Sequence, residues 1–466
     1  MTLQECVKKM RAQGERESEI DAFSHLFRTF ADQDGDHWIR EEDVEPLREV
    51  PSVRDIVSEK ADPSALASTA FIKLNGGLGT SMGLRAPKSS LPVAKKNGEV
   101  LTFLDVIVRQ IQSARQRLGA QFPLIFMDSL HTSAPTLGEV KKLEFSNPDG
   151  IPLEIMQNRE PKLLADGRPA SWPKDPSLEW CPMGHGDIFN VLYTSGILPL
   201  LLEKGIKYLF ISNCDNLGAR PSTKIASYFA SSPSSFMMEV ARRTPSDVKG
   251  GQIVRDRYSR RLMLREMSQV SPEDMKFASD ISRHMYFNTN NLWIKVKDLK
   301  DRLDEAGGVF DFPLIVNKKT VDPADPSSLP VVQLETAMGS IISKFPDSSC
   351  LEVDRPRFLP VKTTEDLFVM RSNRFHLTDL YEMEDGDYHL PRVILDKKYY
   401  KNVSDFDERI PSIPSLAAAA SVKIEGDWTF GEGVSFFGHV LLEDNGKKNF
   451  VPDGSFVGDR GVEGAQ

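Results

Sequence analysis

The chain is poor in cysteine, in long apolar runs and in excess positive charge. Its four cysteines, Cys6, Cys181, Cys214 and Cys350, stand far apart without metal-ligand spacing. They read as reduced, structural thiols in a cytoplasmic protein. No apolar run approaches the roughly 20 residues that span a bilayer, so no membrane association is expected. The stretch Met1 to Gly14 is polar and charged, lacks an apolar h-region, and does not read as a signal peptide. A formal charge of −9 argues against a surface for a nucleic-acid polymer. One bound nucleotide, held by local geometry, is compatible with it. What remains is an ordinary globular composition, 40% hydrophobic and 27% charged over 466 residues, which implies two or three packed units.

The most informative stretch is Phe71-Ile72-Lys73-Leu74-Asn75-Gly76-Gly77-Leu78-Gly79-Thr80-Ser81-Met82-Gly83-Leu84-Arg85-Ala86-Pro87-Lys88-Ser89. An apolar run that reads as a buried strand empties into a glycine-rich turn. Without a Cβ, such a turn bends tightly and lets the backbone approach a ligand. Its successive N–H groups form an anion-binding concavity, and Lys88 adds a positive charge for phosphate oxygens. The turn is neither a P-loop, because Pro87 precedes the lysine, nor a dinucleotide fingerprint, because the glycine spacing is wrong. Taken alone, it suits an ordinary loop after a strand equally well.

Around that turn the chain divides into three regions: 1–65, 66–384 and 385–466. The first reads as helical and peripheral, with Phe23, Leu26, Phe27 and Phe30 on one helical face. Its acidic run Asp32-Gln33-Asp34-Gly35-Asp36 only superficially suggests an EF-hand. The glycine falls at loop position four and position twelve is Asp43, so a turn between helices is expected. In the second region strands (70–74, 123–128, 153–156, 206–212) alternate with helices (103–118, 188–202). The pattern implies an α/β unit with a parallel-rich sheet whose ligands bind beyond the strand carboxyl ends. Both Asn75-Gly76-Gly77 and Asn213-Cys214-Asp215 follow strands and should face one crevice. In the third region, residues 385 to 415 read as a connection. Val422, Trp428, Val434 and Val440 then recur every six residues, as do Ile424, Phe430, Phe436 and Leu442. That period fits a β-helix; a short antiparallel sheet is the alternative.

A carboxylate at a strand end opposite a phosphate-binding turn is suited to Mg²⁺, which takes one or two carboxylates together with substrate phosphates. Asp215 has that placement. The segment Cys181 to Asp187 reads as a helix start, with glycines either side of His185.

The Lys73–Ser89 segment is similar to the signature of the UTP–glucose-1-phosphate uridylyltransferase family. Further motifs resemble that family in the same order: Gly184-His185-Gly186-Asp187, Ser212 to Gly218, Asp247 to Gly251, Phe287 to Trp293 and Pro360 to Thr364. The resemblance implies a Rossmann-like, mixed-sheet nucleotidyltransferase (GT-A-like) catalytic domain followed by a left-handed parallel β-helix. It implies transfer of a uridylyl group from UTP to glucose 1-phosphate with Mg²⁺ held by Asp215. Lys88 and Lys362 would be the catalytic cations. Leu74, Asn75, Gly76, Gly77, Gln157, Gly184, His185, Asn213, Cys214, Asp215 and Asn290 would bind substrate, with Gly251 and Glu266 as weaker members of the sugar pocket. His185 is expected to contact substrate rather than carry a proton. A monomer or dimer is expected. The alternatives are a pyrophosphorylase for N-acetylhexosamine or galactose 1-phosphate, and a non-catalytic sugar-nucleotide sensor.

Overall fold

In the computed structural model the described residues are 2–32, 38–57, 61–244, 247, 250–323, 325–385, 390–459 and the backbone of 461–463. Most of the acidic loop that begins at Asp32, residues 33–37, lies outside them, as do Val248 and Lys249 of the Asp247–Gly251 motif.

A ten-stranded sheet organises the chain. Its main path runs Val44–Pro46, Gln252–Asp256, Tyr286–Lys295, Tyr208–Asn213, Thr69–Leu74, Leu124–Asp128, Glu154–Met156. The Thr69–Leu74 strand is parallel to both its neighbours. It is buried on both faces, which explains its unbroken apolar run: Ala70 and Ile72 join the core on one side and Phe71 joins it on the other. Phe210 lies 5.5 Å from Phe71 and 4.6 Å from Trp293, centroid to centroid, so aromatics tie three strands together.

The parallel-rich expectation holds for that half only. Tyr286–Lys295 runs antiparallel to Tyr208–Asn213 and to Phe236–Arg242, and Gln252–Asp256 and Val44–Pro46 pair antiparallel as well. The sheet is mixed. Nor is region 1–65 wholly peripheral helix. Thr2–Ala12 and Glu17–Asp32 are helices, and Phe23, Leu26 and Phe27 pack against Leu163, Leu314 and Leu334. Val44–Pro46, however, extends the central sheet.

The helix Phe103–Leu118 matches its expected bounds because both ends are signalled locally. Thr102 and Asp105 form a capping box, and Gly119 ends the helix at φ 60°. The expected helix 188–202 is instead two, Ile188–Thr194 and Ile197–Glu203, because Gly196 turns the backbone at φ 73°. The expected helix start at Cys181–Asp187 is a strand, Trp180–Pro182, followed by a single 3-10 turn at His185–Asp187.

Residues 385–415 are more than a connection. Arg392–Leu395 is a strand, and Tyr400 and Phe406 are fully buried in a core that runs unbroken from Phe368 to Phe436. Beyond them Ser415–Ile424 pairs in parallel with Ser435–Leu442, and Trp428–Phe430 with Asn449–Val451. Val422 stands opposite Val440 and Ile424 opposite Leu442, three six-residue periods apart. Among the described residues beyond Ser415, antiparallel pairing enters only at Gly461–Glu463.

Candidate active site

The site forms beyond the carboxyl ends of Thr69–Leu74 and Tyr208–Asn213, whose last residues Leu74 and Asn213 are paired in register. The glycine turn leaves Leu74, crosses a 3-10 turn at Thr80–Met82, and folds back through a bridge between Leu78 and Pro87. That return brings Lys88 beside Gly77, whose carbonyl accepts from the Lys88 N–H at 3.4 Å. The Lys88 ammonium then reaches across to Asp215 Oδ2 at 2.7 Å. The second carboxylate oxygen, Asp215 Oδ1, is buried and has no hydrogen-bond partner among the described residues. A hard-oxygen donor left unpaired beside a glycine-rich turn fits a divalent cation such as Mg²⁺.

The neighbouring residues mostly build the frame. The Cys214 N–H donates to the Leu74 carbonyl at 3.1 Å, and the thiol is buried. Burial pushes its pKa well above the ordinary range, which makes Cys214 an inert packing group. Asn75 turns its amide inward, donating to Asp128 Oδ1 and Thr136 Oγ1, each at 2.8 Å. Its side chain is therefore committed to holding the turn, and its backbone N–H is committed to the Met127 carbonyl at 2.8 Å. Lys73, fully buried, donates to Ser212 Oγ at 2.9 Å and to the Ala219 carbonyl at 2.7 Å. Desolvation lowers its pKa to about 8.

Gln157 stands over the turn. Its N–H donates to the Asp128 carbonyl at 2.8 Å. A Cβ on Gly76 would lie 2.1 Å from Gln157 Oε1, so the missing side chain is what lets the two segments close. Gln157 joins the histidine segment through its neighbour. Asn158 donates from its backbone to Asp187 Oδ2 (2.9 Å) and from its side chain to Asp187 Oδ1 (2.8 Å). Gly184, at φ 81°, lies against the backbone of Thr336. His185 Nδ1 accepts the Met338 N–H at 2.9 Å, so the proton of the neutral ring is on Nε2. Burial, and then the Lys362 charge, push its pKa down to about 4. His185 is a neutral hydrogen-bond donor at physiological pH, in keeping with the expected contact role.

Asn290 occupies a bulge. The pairing of Tyr286–Lys295 with Phe236–Arg242 skips from Asn291 to Asn288, and Asn290 sits at φ 59°, which asparagine tolerates. Asn288 fixes it from both ends: Asn288 Nδ2 donates to Asn290 Oδ1 at 2.6 Å, and the Asn290 N–H donates to Asn288 Oδ1 at 2.8 Å. The same Asn288 donates its backbone N–H to the Gly251 carbonyl. A Cβ on Gly251 would meet the Glu266 carboxylate at 2.7 Å. Burial raises the Glu266 pKa and the Lys362 charge opposes that shift. Lys362 thus acts electrostatically on both His185 and Glu266. Its ammonium is exposed and makes no side-chain hydrogen bond or ion pair among the described residues.

The frame contains residues not singled out from sequence. Arg357 grips the fully buried Glu239 through two hydrogen bonds of 2.7 and 2.9 Å, and Glu239 also accepts from Trp293 Nε1 and Asn291 Nδ2. The signal was available: a lone glutamate in the apolar run Phe236–Arg242 needs a buried cation.

The family model for UTP--glucose-1-phosphate uridylyltransferase matches residues 20–436. A UTP--glucose-1-phosphate uridylyltransferase of Encephalitozoon cuniculi (strain GB-M1) is 33% identical, covering 99% of this chain and 91% of that protein. One from Solanum tuberosum is 37% identical over 86% of this chain and 82% of its own length. The UDP-glucose pyrophosphorylase of Leishmania major, solved in open and closed structures, superposes with a TM-score of 0.91 at 37% identity and covers 98% of both chains. A mutant of that enzyme in complex with UDP-glucose superposes with a TM-score of 0.89 at the same identity and coverage.

Proposed function

The chain belongs to the UTP--glucose-1-phosphate uridylyltransferase family, and from that premise we propose how its own residues perform the transfer. The enzyme moves a uridylyl group from UTP to α-D-glucose 1-phosphate and releases pyrophosphate. The phosphate oxygen of the sugar attacks the α-phosphorus in line. That oxygen is already anionic and needs no general base, so positioning and charge neutralisation carry the rate.

Gln157, with the backbone of Gly76 and Gly184, holds the uracil; an amide offers both donor and acceptor to a base edge. The Gly76–Gly77 turn, held in place by Leu74 and Asn75, cradles the phosphates. Asn290, Glu266 and Gly251 form the sugar pocket, and His185 Nε2–H donates toward the sugar phosphate. Asn213, Cys214 and Asp215 close the floor. Lys88 and Lys362 neutralise the two approaching polyanions. Asp215 would hold Mg²⁺, which supplies further charge neutralisation at the leaving pyrophosphate. One observation carries this reading: Lys88 meets Asp215 at 2.7 Å while a second Asp215 oxygen stays buried and unbonded.

The same reading divides the chain into an N-terminal helical region (1–65), the catalytic domain (66–384) and a C-terminal left-handed β-helix with its linker (385–466). The parallel pairings and three-period register of the last segment support the β-helix. No helix among the described residues is long and apolar enough to cross a membrane. A cytoplasmic monomer or dimer is proposed.

Purified protein supplied with UTP, Mg²⁺ and glucose 1-phosphate should release pyrophosphate and form UDP-glucose. N-acetylglucosamine 1-phosphate and galactose 1-phosphate should be turned over much more slowly. Faster turnover of either would reassign the sugar. No turnover of any of them would reduce the protein to a sensor.

A further inference from the structure

We propose that Asn216 is a positioning residue that sets where Lys362 stands relative to Asp215. The proposal rests on the functional reading above and adds to it a residue that touches no substrate.

Asn216 is 1% exposed, and its amide is saturated. Oδ1 accepts the N–H groups of Leu359 (2.8 Å) and Gly218 (3.1 Å). Nδ2 donates to the Arg357 carbonyl (3.2 Å) and to Asn291 Oδ1 (3.3 Å). Two acceptor sites and two donors are all a carboxamide has. Three of these four bonds tie the segment that carries Asp215 to other segments, and two of them go to the segment that carries Lys362. The junction is tight. Asn216 bridges Pro360, the Val361 N–H donates to the Asp215 carbonyl at 3.1 Å, and a Cβ on Gly218 would lie 2.4 Å from the Pro356 carbonyl oxygen. Behind it, the Arg357–Glu239 pair anchors the second segment to the sheet.

Lys362 has no side-chain partner among the described residues to orient it. Its backbone alone decides where the ammonium starts. Asn216 therefore fixes a distance between two charges that lie far apart in sequence, and it does so without facing the substrate. A displacement of about 1 Å in such a group costs about 100-fold in rate.

A double-mutant cycle tests this. Asn216→Ala should lower kcat about 100-fold and leave the KM for UTP within a few-fold of the parent. Lys362→Ala should lower kcat at least as much. The double variant should be no slower than Lys362→Ala, because misplacing a segment matters little once its ammonium is gone. Multiplying effects would overturn the proposal while leaving the functional reading intact. A fully active Lys362→Ala would overturn both. If Asn216→Ala yields no folded protein, Asn216→Asp, which keeps the acceptor and loses the donors, goes through the same cycle. Melting curves identify the variants that are folded.

Discussion

Gly76→Ala is the sharpest perturbation of the nucleotide pocket. The added Cβ would sit 2.1 Å from Gln157 Oε1, 2.5 Å from Cδ and 2.8 Å from Nε2. Ordinary contact begins at 3.4 Å, so the amide must retreat by more than an ångström. All three atoms belong to the far end of a flexible side chain. Gly76 is not among the residues with positive φ, so alanine adds no backbone strain there. Displacing Gln157 from its rotamer costs about 0.5–1.5 kcal/mol. The reduced freedom of the unfolded chain returns about 0.4–1 kcal/mol. Stability should therefore change by less than about 1 kcal/mol. Binding should suffer more, because a retreated amide loses one or two hydrogen bonds to the base, about 1–3 kcal/mol in total. The affinity for UDP-glucose then falls about 5- to 150-fold. Calorimetric titration with UDP-glucose and a melting curve measure the two quantities separately. Gln157→Ala should match Gly76→Ala in affinity, and the double variant should be no worse than either. Parental affinity in Gly76→Ala, or a double variant in which the losses multiply, would refute the link between this glycine and that amide.

Lys88→Ala should reduce kcat by at least about 100-fold while weakening UDP-glucose binding far less, since in the proposed mechanism its charge serves the reacting phosphates; equal losses in both would remove it from the catalytic set. Asp215→Asn should abolish the saturating dependence of rate on Mg²⁺, and an unaltered magnesium titration would remove Asp215 as the ligand. Because His185 is neutral down to about pH 4 when folded but takes a proton near pH 6.5 when unfolded, the unfolded state binds more protons in that window. His185 thus costs stability as pH falls from about 6.5 to about 4. His185→Gln, whose carbonyl can accept the Met338 N–H, should lose less stability than the parent over that range. Identical pH-melting profiles would show that the ring is not held neutral.

The parts legible in the sequence were those governed by local rules. The strand Thr69–Leu74 was visible because a parallel central strand is apolar throughout, and the helix Phe103–Leu118 because Thr102, Asp105 and Gly119 mark its ends. The antiparallel half of the sheet was not legible. Phe236–Arg242 and Tyr286–Lys295 are long and buried, with Glu239, Asn288 and Asn291 inside them, and their direction is set by tertiary pairing that no local pattern encodes. The family resemblance implies a substrate contact at Asn75. That its amide points inward depends on Asp128, 53 residues away. The split at Gly196 could have been anticipated from the glycine alone. The continuity of the core between Phe368 and Phe436 could not, since it depends on Tyr400 and Phe406 folding back from a proline-rich stretch that looks like a linker.

The contact between Lys88 and Asp215 also bears on how the proposed site would receive a triphosphate and its cation. Each side chain is less than one-fifth exposed, and an unpaired charge so placed would be costly. Together they are neutral, with one carboxylate oxygen spent on the lysine and the other unspent. In the proposed reaction Lys88 would turn to a phosphate, and Asp215 Oδ1, which has no hydrogen-bond partner among the described residues, would be available to a divalent cation. The exposed Lys362 ammonium, which has no side-chain partner among the described residues, would complete the proposed scheme. It needs no resting partner because it is exposed to water, and its charge already bears on His185 and Glu266. In the proposed scheme the site is thus split between the half-buried Lys88–Asp215 pair and a solvated lysine whose spacing from Asp215 the backbone sets.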